Sequence, residues 1–173
     1  MKIMITPETP EDKSSIYSLN AAAFGQENES KLIDLLRDSE HFIPALSLVA
    51  RSESGAVGHI LFTKLKIKGL EGVMYDTLAL APMAVLPALQ HLGIGSQLVR
   101  EGLKRAAELG YGSVIVLGHP GYYPKFGFLP ASKWGIRTSY EVPGEAFMAI
   151  ELKPGGLEGR AGLVVYSKEF DEV

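Results

Sequence analysis

The chain has 173 residues, of which 46% are hydrophobic and 21% charged, a net charge of −3 and no cysteine. That length fits one domain with a sizeable buried core. The missing cysteine excludes a disulfide framework, a thiolate zinc site and a cysteine nucleophile, and the slight net acidity argues against a broad nucleic-acid footprint.

Met1 to Pro7 lacks the apolar core of a signal peptide. The longest uncharged run, Thr77 to Gln90, is too short for a membrane helix and contains Pro82 and Pro87. The sequence therefore reads as cytoplasmic, with neither a membrane nor a nucleic acid as partner. Thr9-Pro10-Glu11-Asp12 predicts a helix start, with Thr9 as cap, Pro10 at the first helical position and Asp12 completing a capping box. Ile16, Leu19 and Ala23 continue it at helical spacing, and Leu32, Ile33 and Leu36 mark a second helix over Ser30 to Arg37.

Ala45 to Arg51 reads as a strand, followed by a Ser52-to-Gly55 turn. Val57 to Ile67 alternates with period two, placing Val57, Leu61, Leu65 and Ile67 on one face and Lys64, Lys66 and Lys68 on the other. After a turn over Gly69 to Gly72, Tyr75 to Val85 is almost continuously apolar, as in a strand covered on both faces. A helix follows over Ile94 to Leu109, with Ile94, Leu98, Gly102 and Ala106 as its buried stripe, then a short strand over Ser113 to Leu117. Strand, helix and strand in this order predict a right-handed crossover between parallel strands. Further strands are expected at Phe147 to Leu152 and Leu163 to Tyr166. The architecture is a mixed sheet with helices against it, in one domain over 1–173.

The chemistry concentrates in Val85 to Ser96, which joins a buried strand to a helix start. Unpaired N–H groups and the helix dipole there favour an anion. Gly93 and Gly95 remove side chains where a phosphate must meet the backbone. Spacing alone leaves a second reading open, a loop that uses glycine only to turn. A Walker loop is excluded because no Gly-Lys-Ser/Thr occurs. A dinucleotide fingerprint fits poorly. Leu98 stands where a third Gly or Ala is needed, and no acid occurs between Glu108 and Glu141.

Gln90-x-x-Gly93-x-Gly95 resembles the Q/R-x-x-G-x-G/A motif of the GNAT superfamily of N-acetyltransferases, and Met83 to Pro87 resembles its lead-in. Tyr123-Pro124-Lys125-Phe126-Gly127-Phe128 resembles the family's Y-x-K-x-G-F signature. Gly58-His59-Ile60, Gly118 to Phe128 and Pro143 to Phe147 look like the YhbS-like bacterial branch. The resemblance implies a GNAT-like α+β fold: a central mixed, largely antiparallel sheet with one splayed parallel pair and helices on both faces. It also implies acetyl-CoA as cofactor and a small-molecule or peptide amine as acceptor, joined by direct transfer in a ternary complex.

In the same terms, the backbone of Met83, Ala84 and Val85 binds the pantetheine arm. The backbone of Gln90, His91, Leu92, Gly93, Ile94, Gly95 and Ser96 holds the pyrophosphate, and Tyr123 is the general acid for the departing thiolate. The family's Asn-x-x-Ala helix is replaced here by Gly118-His119-Pro120-Gly121. The general base stays open among Glu27, Glu29, His59, Asp76, His119 and water. Lys125 is either a phosphate contact or a solvated lysine. The four histidines have no metal-ligand spacing, so no metal is expected. A non-catalytic acyl-CoA-binding regulatory module would keep Gly93 and Gly95 without needing Tyr123.

Overall fold

The computed structural model describes residues 1–173. Contacts divide the chain into two compact units: Met1–Thr63 with Ala81–Arg105 and Lys168–Val173, and Lys64–Leu80 with Ala106–Ser167. Strands β3 (Gly55–Lys68) and β4 (Met74–Val85) and helix α3 (Ile94–Glu108) contribute to both.

In the first unit, β1 (Met4–Pro7) pairs antiparallel with β2 (Phe42–Ser52), and β2 pairs antiparallel with β3. β4 lies on the other side of β3, where the Leu86 N–H donates to the Val57 carbonyl at 2.9 Å. The period-two pattern sorts β3 as expected. Leu61 joins Ile16 of α1 (Lys13–Phe24), Leu32, Ile33 and Leu36 of α2 (Asn28–Arg37) and Val49 in one buried cluster. Each such side chain contributes roughly 1.5–3 kcal/mol on burial. Gly58 and Phe62 point the opposite way, against Leu98 and Gly102 of α3. Helices therefore cover both faces of this part of the sheet.

The first helix does not begin at Pro10. Pro10–Asp12 form a 3-10 turn, and α1 starts at Lys13. The expected capping box is formed all the same, and the Asp12 carboxylate carries a second task beside it. It accepts the Thr9 N–H at 2.7 Å and two bonds of 2.7 Å from the Arg51 guanidinium. That bidentate pair ties the helix start to β2, and Arg51 holds the Asp12 pKa well below the usual carboxylate range.

Beneath α2 lies a polar chain that sequence could not assemble. Arg37 donates to both Glu8 oxygens, at 2.9 and 3.3 Å, and the Ser47 hydroxyl donates to Glu8. His59 Nε2 is 2.8 Å from the Ser47 oxygen. With the Ser47 proton committed to Glu8, Nε2 is the donor in this contact. Burial, aided by the Arg37 charge, holds the His59 pKa down to about 3. An unfolded chain takes up this proton below about 6.5, whereas the folded one waits until about 3. Stability is therefore lost as pH falls through that window, by up to about 1.4 kcal/mol per pH unit. Urea unfolding at pH 7, 6, 5 and 4 should show this decline. His59→Gln should be less stable at pH 7 yet flatter across the series; an unchanged slope would mean that another group titrates.

In the second unit, β4 pairs in parallel with β5 (Ser113–Leu117), and their register holds at one pair, Ala79 with Ile115. A ladder of one rung is what diverging strands leave. Thr77 Oγ1 and Ser113 Oγ meet beside it at 2.6 Å, both buried. β5 then pairs antiparallel with β8 (Phe147–Glu151) over five positions, and β8 pairs with β6 (Leu129–Pro130). The far half of β3 pairs antiparallel with β9 (Gly162–Val165), and β9 pairs with β7 (Ile136–Arg137). The β7–β9 pair is parallel, so the sheet has a second, short parallel ladder beyond the one expected. Lys64, Lys66 and Lys68 are exposed, and Lys66 pairs with Asp76. No helix is long and apolar enough to cross a membrane.

Candidate active site

β4 ends in Met83, Ala84 and Val85, which follow a cis Ala81–Pro82 peptide. Ala84 and Val85 are buried and Met83 is partly so. The chain then makes a 3-10 turn at Pro87–Leu89 and reaches α3. The Gln90 side chain turns back and donates to the Val85 carbonyl at 3.1 Å, which pins the loop to the strand end. His91 and Gly93 both take the left-handed conformation, with φ of 66° and 87°. That conformation disfavours a Cβ, so glycine is favoured at Gly93 by the backbone itself.

The Gly93 carbonyl accepts the Gln97 N–H at 3.1 Å, which makes Gly93 the cap residue of α3. The N–H groups of Ile94, Gly95 and Ser96 consequently have no partner within the helix. Gln90 to Gly93 are exposed, Gly95 and Ser96 are half-buried, and Ile94 is anchored in the core. The loop thus places a buried anchor and N–H groups without a helical partner at a helix N-terminus, where the helix dipole favours an anion.

Tyr123 opens a 3-10 turn, Tyr123–Phe126, and no helix separates it from β5. It is 9% exposed. Its ring meets Tyr122 edge-on at 5.1 Å and Phe128 at 5.6 Å. A Cβ on Gly118 would stand 2.5 Å from the ring, so the absence of a side chain there creates the slot that Tyr123 fills. This gives a reason for the first residue of the stretch that replaces the family's helix. Burial pushes the Tyr123 pKa far above that of a free tyrosine, so the hydroxyl keeps its proton.

The profile described as "Acetyltransferase (GNAT) family" matches residues 13–128. The chain belongs to the GNAT family. It is 42% identical over 136 residues to the uncharacterized N-acetyltransferase YjhQ of Escherichia coli, covering 78% of this chain and 74% of that one. It is 34% identical over 170 residues to the uncharacterized N-acetyltransferase YhbS of the same organism, covering 98% and 99%. The crystal structure of Escherichia coli YhbS in complex with CoA superposes with a TM-score of 0.90, covering 99% of this chain and 93% of that one at 31% identity. A GNAT acetyltransferase from Brucella melitensis in complex with acetyl-CoA gives 0.80 at 31% identity, covering 98% and 99%.

As a GNAT chain, it offers a short choice of bases. His59 is fully buried with a depressed pKa, which makes it a poor proton acceptor for an amine. Asp76 is engaged by Lys66. Glu27, in the exposed connection from α1 to α2, accepts the Tyr17 hydroxyl at 2.7 Å, and Glu29, half-buried in the first turn of α2, accepts from Gln26 at 3.1 and 3.2 Å. His119 is exposed, and its carbonyl holds the Tyr122 N–H at 3.0 Å. Lys125 packs over the rings of its own turn. Its Nζ lies 4.1 Å from the Tyr122 ring centroid and 5.2 Å from that of Phe126, in cation–π range.

Proposed function

We propose that residues 1–173 act as one N-acetyltransferase domain that moves an acetyl group from acetyl-CoA to a primary amine. The observation that carries this reading is the Gly93-capped N-terminus of α3 at the end of β4, with its unpaired Ile94, Gly95 and Ser96 donors. Likeness over nearly the whole chain to acetyltransferases crystallised with CoA and acetyl-CoA supports it. In this reading the loop from Gln90 to Ser96 holds the pyrophosphate, and the backbone of Met83 to Val85 binds the pantetheine arm.

The neutral amine attacks the thioester carbonyl, the C–N bond forms, and the C–S bond breaks. Backbone N–H groups stabilise the oxyanion. Tyr123 gives its proton to the departing thiolate, and the amine's proton leaves to an exposed base or to water. Isothermal calorimetry should find saturable binding of acetyl-CoA and none of NAD or ATP. A panel of amines with acetyl-CoA, read as free thiol released, should then find an acceptor. Binding of NAD without acetyl-CoA would overturn the reading.

A further inference from the structure

Gly58 is a buried residue of β3. Its φ lies outside the left-handed region, so its backbone conformation does not call for glycine. Its surroundings do. A Cβ would stand 3.0 Å from Leu98 Cδ1, 3.3 Å from Ile94 Cγ2 and 3.3 Å from the Ala84 carbonyl oxygen. Leu98 and Ile94 belong to the first turns of α3, and Ala84 belongs to the last turn-free stretch of β4. One side-chain-free position therefore touches the start of the helix and the end of the strand together.

We infer that Gly58 is a positioning residue: it sets the spacing between the N-terminus of α3 and the β4 edge at Met83–Val85. The inference rests on the reading that these two elements hold the pyrophosphate and the pantetheine arm. Close-packed interiors compress little, so a methyl group added at this contact displaces the helix start, the strand or both by tenths of an ångström. A ligand that bonds both elements feels that shift. A ligand that bonds the strand alone does not. Gly102 provides the contrast. Its Cβ would stand 2.2 Å from Phe62 Cε1, so it too sets a close approach of α3 to β3, but two turns beyond the helix start.

The test compares CoA with pantetheine, which carries the same arm without the nucleotide and its pyrophosphate. Dissociation constants are measured for the parent, Gly58→Ala, Gly58→Val and Gly102→Ala, with thermal unfolding beside them. Gly58→Ala should weaken CoA about tenfold and leave pantetheine within about twofold, which is some 1.4 kcal/mol in the ratio. Gly58→Val should do more, and if it does not fold, Gly58→Ala decides. Leu98→Val added to Gly58→Ala removes the nearest clashing atom and should restore part of the ratio. Gly102→Ala should lower the melting temperature and keep the parent's ratio. A folded Gly58→Ala with the parent's ratio overturns the inference, as does an equal change in Gly102→Ala, which would reduce the effect to general loosening. A parent that binds CoA no tighter than pantetheine removes the pyrophosphate reading itself, and this inference with it.

Discussion

Tyr123→Phe should lower the single-turnover rate by about 10²- to 10⁴-fold while acetyl-CoA binds as it does to the parent. The packing makes this a clean substitution. The ring is wedged between Tyr122 and Phe128 in the slot left by Gly118, and phenylalanine fills the same volume. The loss is then assigned to one hydroxyl. Burial raises the Tyr123 pKa, so the proton is present when the thiolate forms. A free tyrosine is already a weaker acid than a thiol of pKa about 8.5, and the same shift widens the gap. The transfer is therefore uphill unless the thiolate is itself desolvated and more basic, which requires a dry site. A pH profile follows from this. The rate should rise as the acceptor amine loses its proton and then stay level to about pH 10, since Tyr123 does not ionise below that value. Weakened binding at an unchanged rate would make Tyr123 a cofactor contact. Parental rate and binding would remove it from the reaction and leave the thiolate to be protonated by solvent or by another group such as His119.

What the sequence made legible was periodic or local. The alternation over Val57 to Ile67 sorted β3 into its faces, and the stripe of Ile94, Leu98, Gly102 and Ala106 found α3 to within a residue. The loop proposed to hold the pyrophosphate stood out as a candidate because Gln90, Gly93 and Gly95 lie within six residues of one another. The strands β6 and β7 were not, because two residues each carry no period. β1 is four residues ending in proline, too short to announce itself. Pairings between distant segments were also hidden: Asp12 with Arg51, and Glu8, Ser47 and His59 in one chain, depend on strand register rather than on spacing. Gly58 and Gly118 could be noticed as glycines but not explained, since the explanation lies in Leu98 and Tyr123 from elsewhere in the fold. Gln90 was read for its backbone, and its side chain proves to bond the Val85 carbonyl.

Gly95→Val should weaken acetyl-CoA by about a hundredfold or more, roughly 3 kcal/mol, in a protein that still folds. Gly95 is the second residue of α3 and one of the three whose N–H groups lack a helical partner. A phosphate oxygen must come within about 3 Å of such a group to bond it. A branched side chain on the same residue puts two methyl groups beside that path. The helix itself tolerates the change, because valine is less than about 1 kcal/mol worse than alanine there and the position is half-buried. Gly95 also lies outside the left-handed region, so no backbone strain is added. Gly95→Ala, with one small carbon, should bind nearly as well as the parent, in keeping with the G/A choice in the motif it resembles. Gly93→Ala separates sterics from conformation. Its Cβ meets nothing within 4 Å, yet its φ of 87° is disfavoured for alanine, so it should cost about 1–2 kcal/mol of stability or reshape the loop. Calorimetry with acetyl-CoA on the three variants, beside thermal unfolding, reads both effects. A folded Gly95→Val that binds as tightly as the parent would mean that the pyrophosphate lies elsewhere.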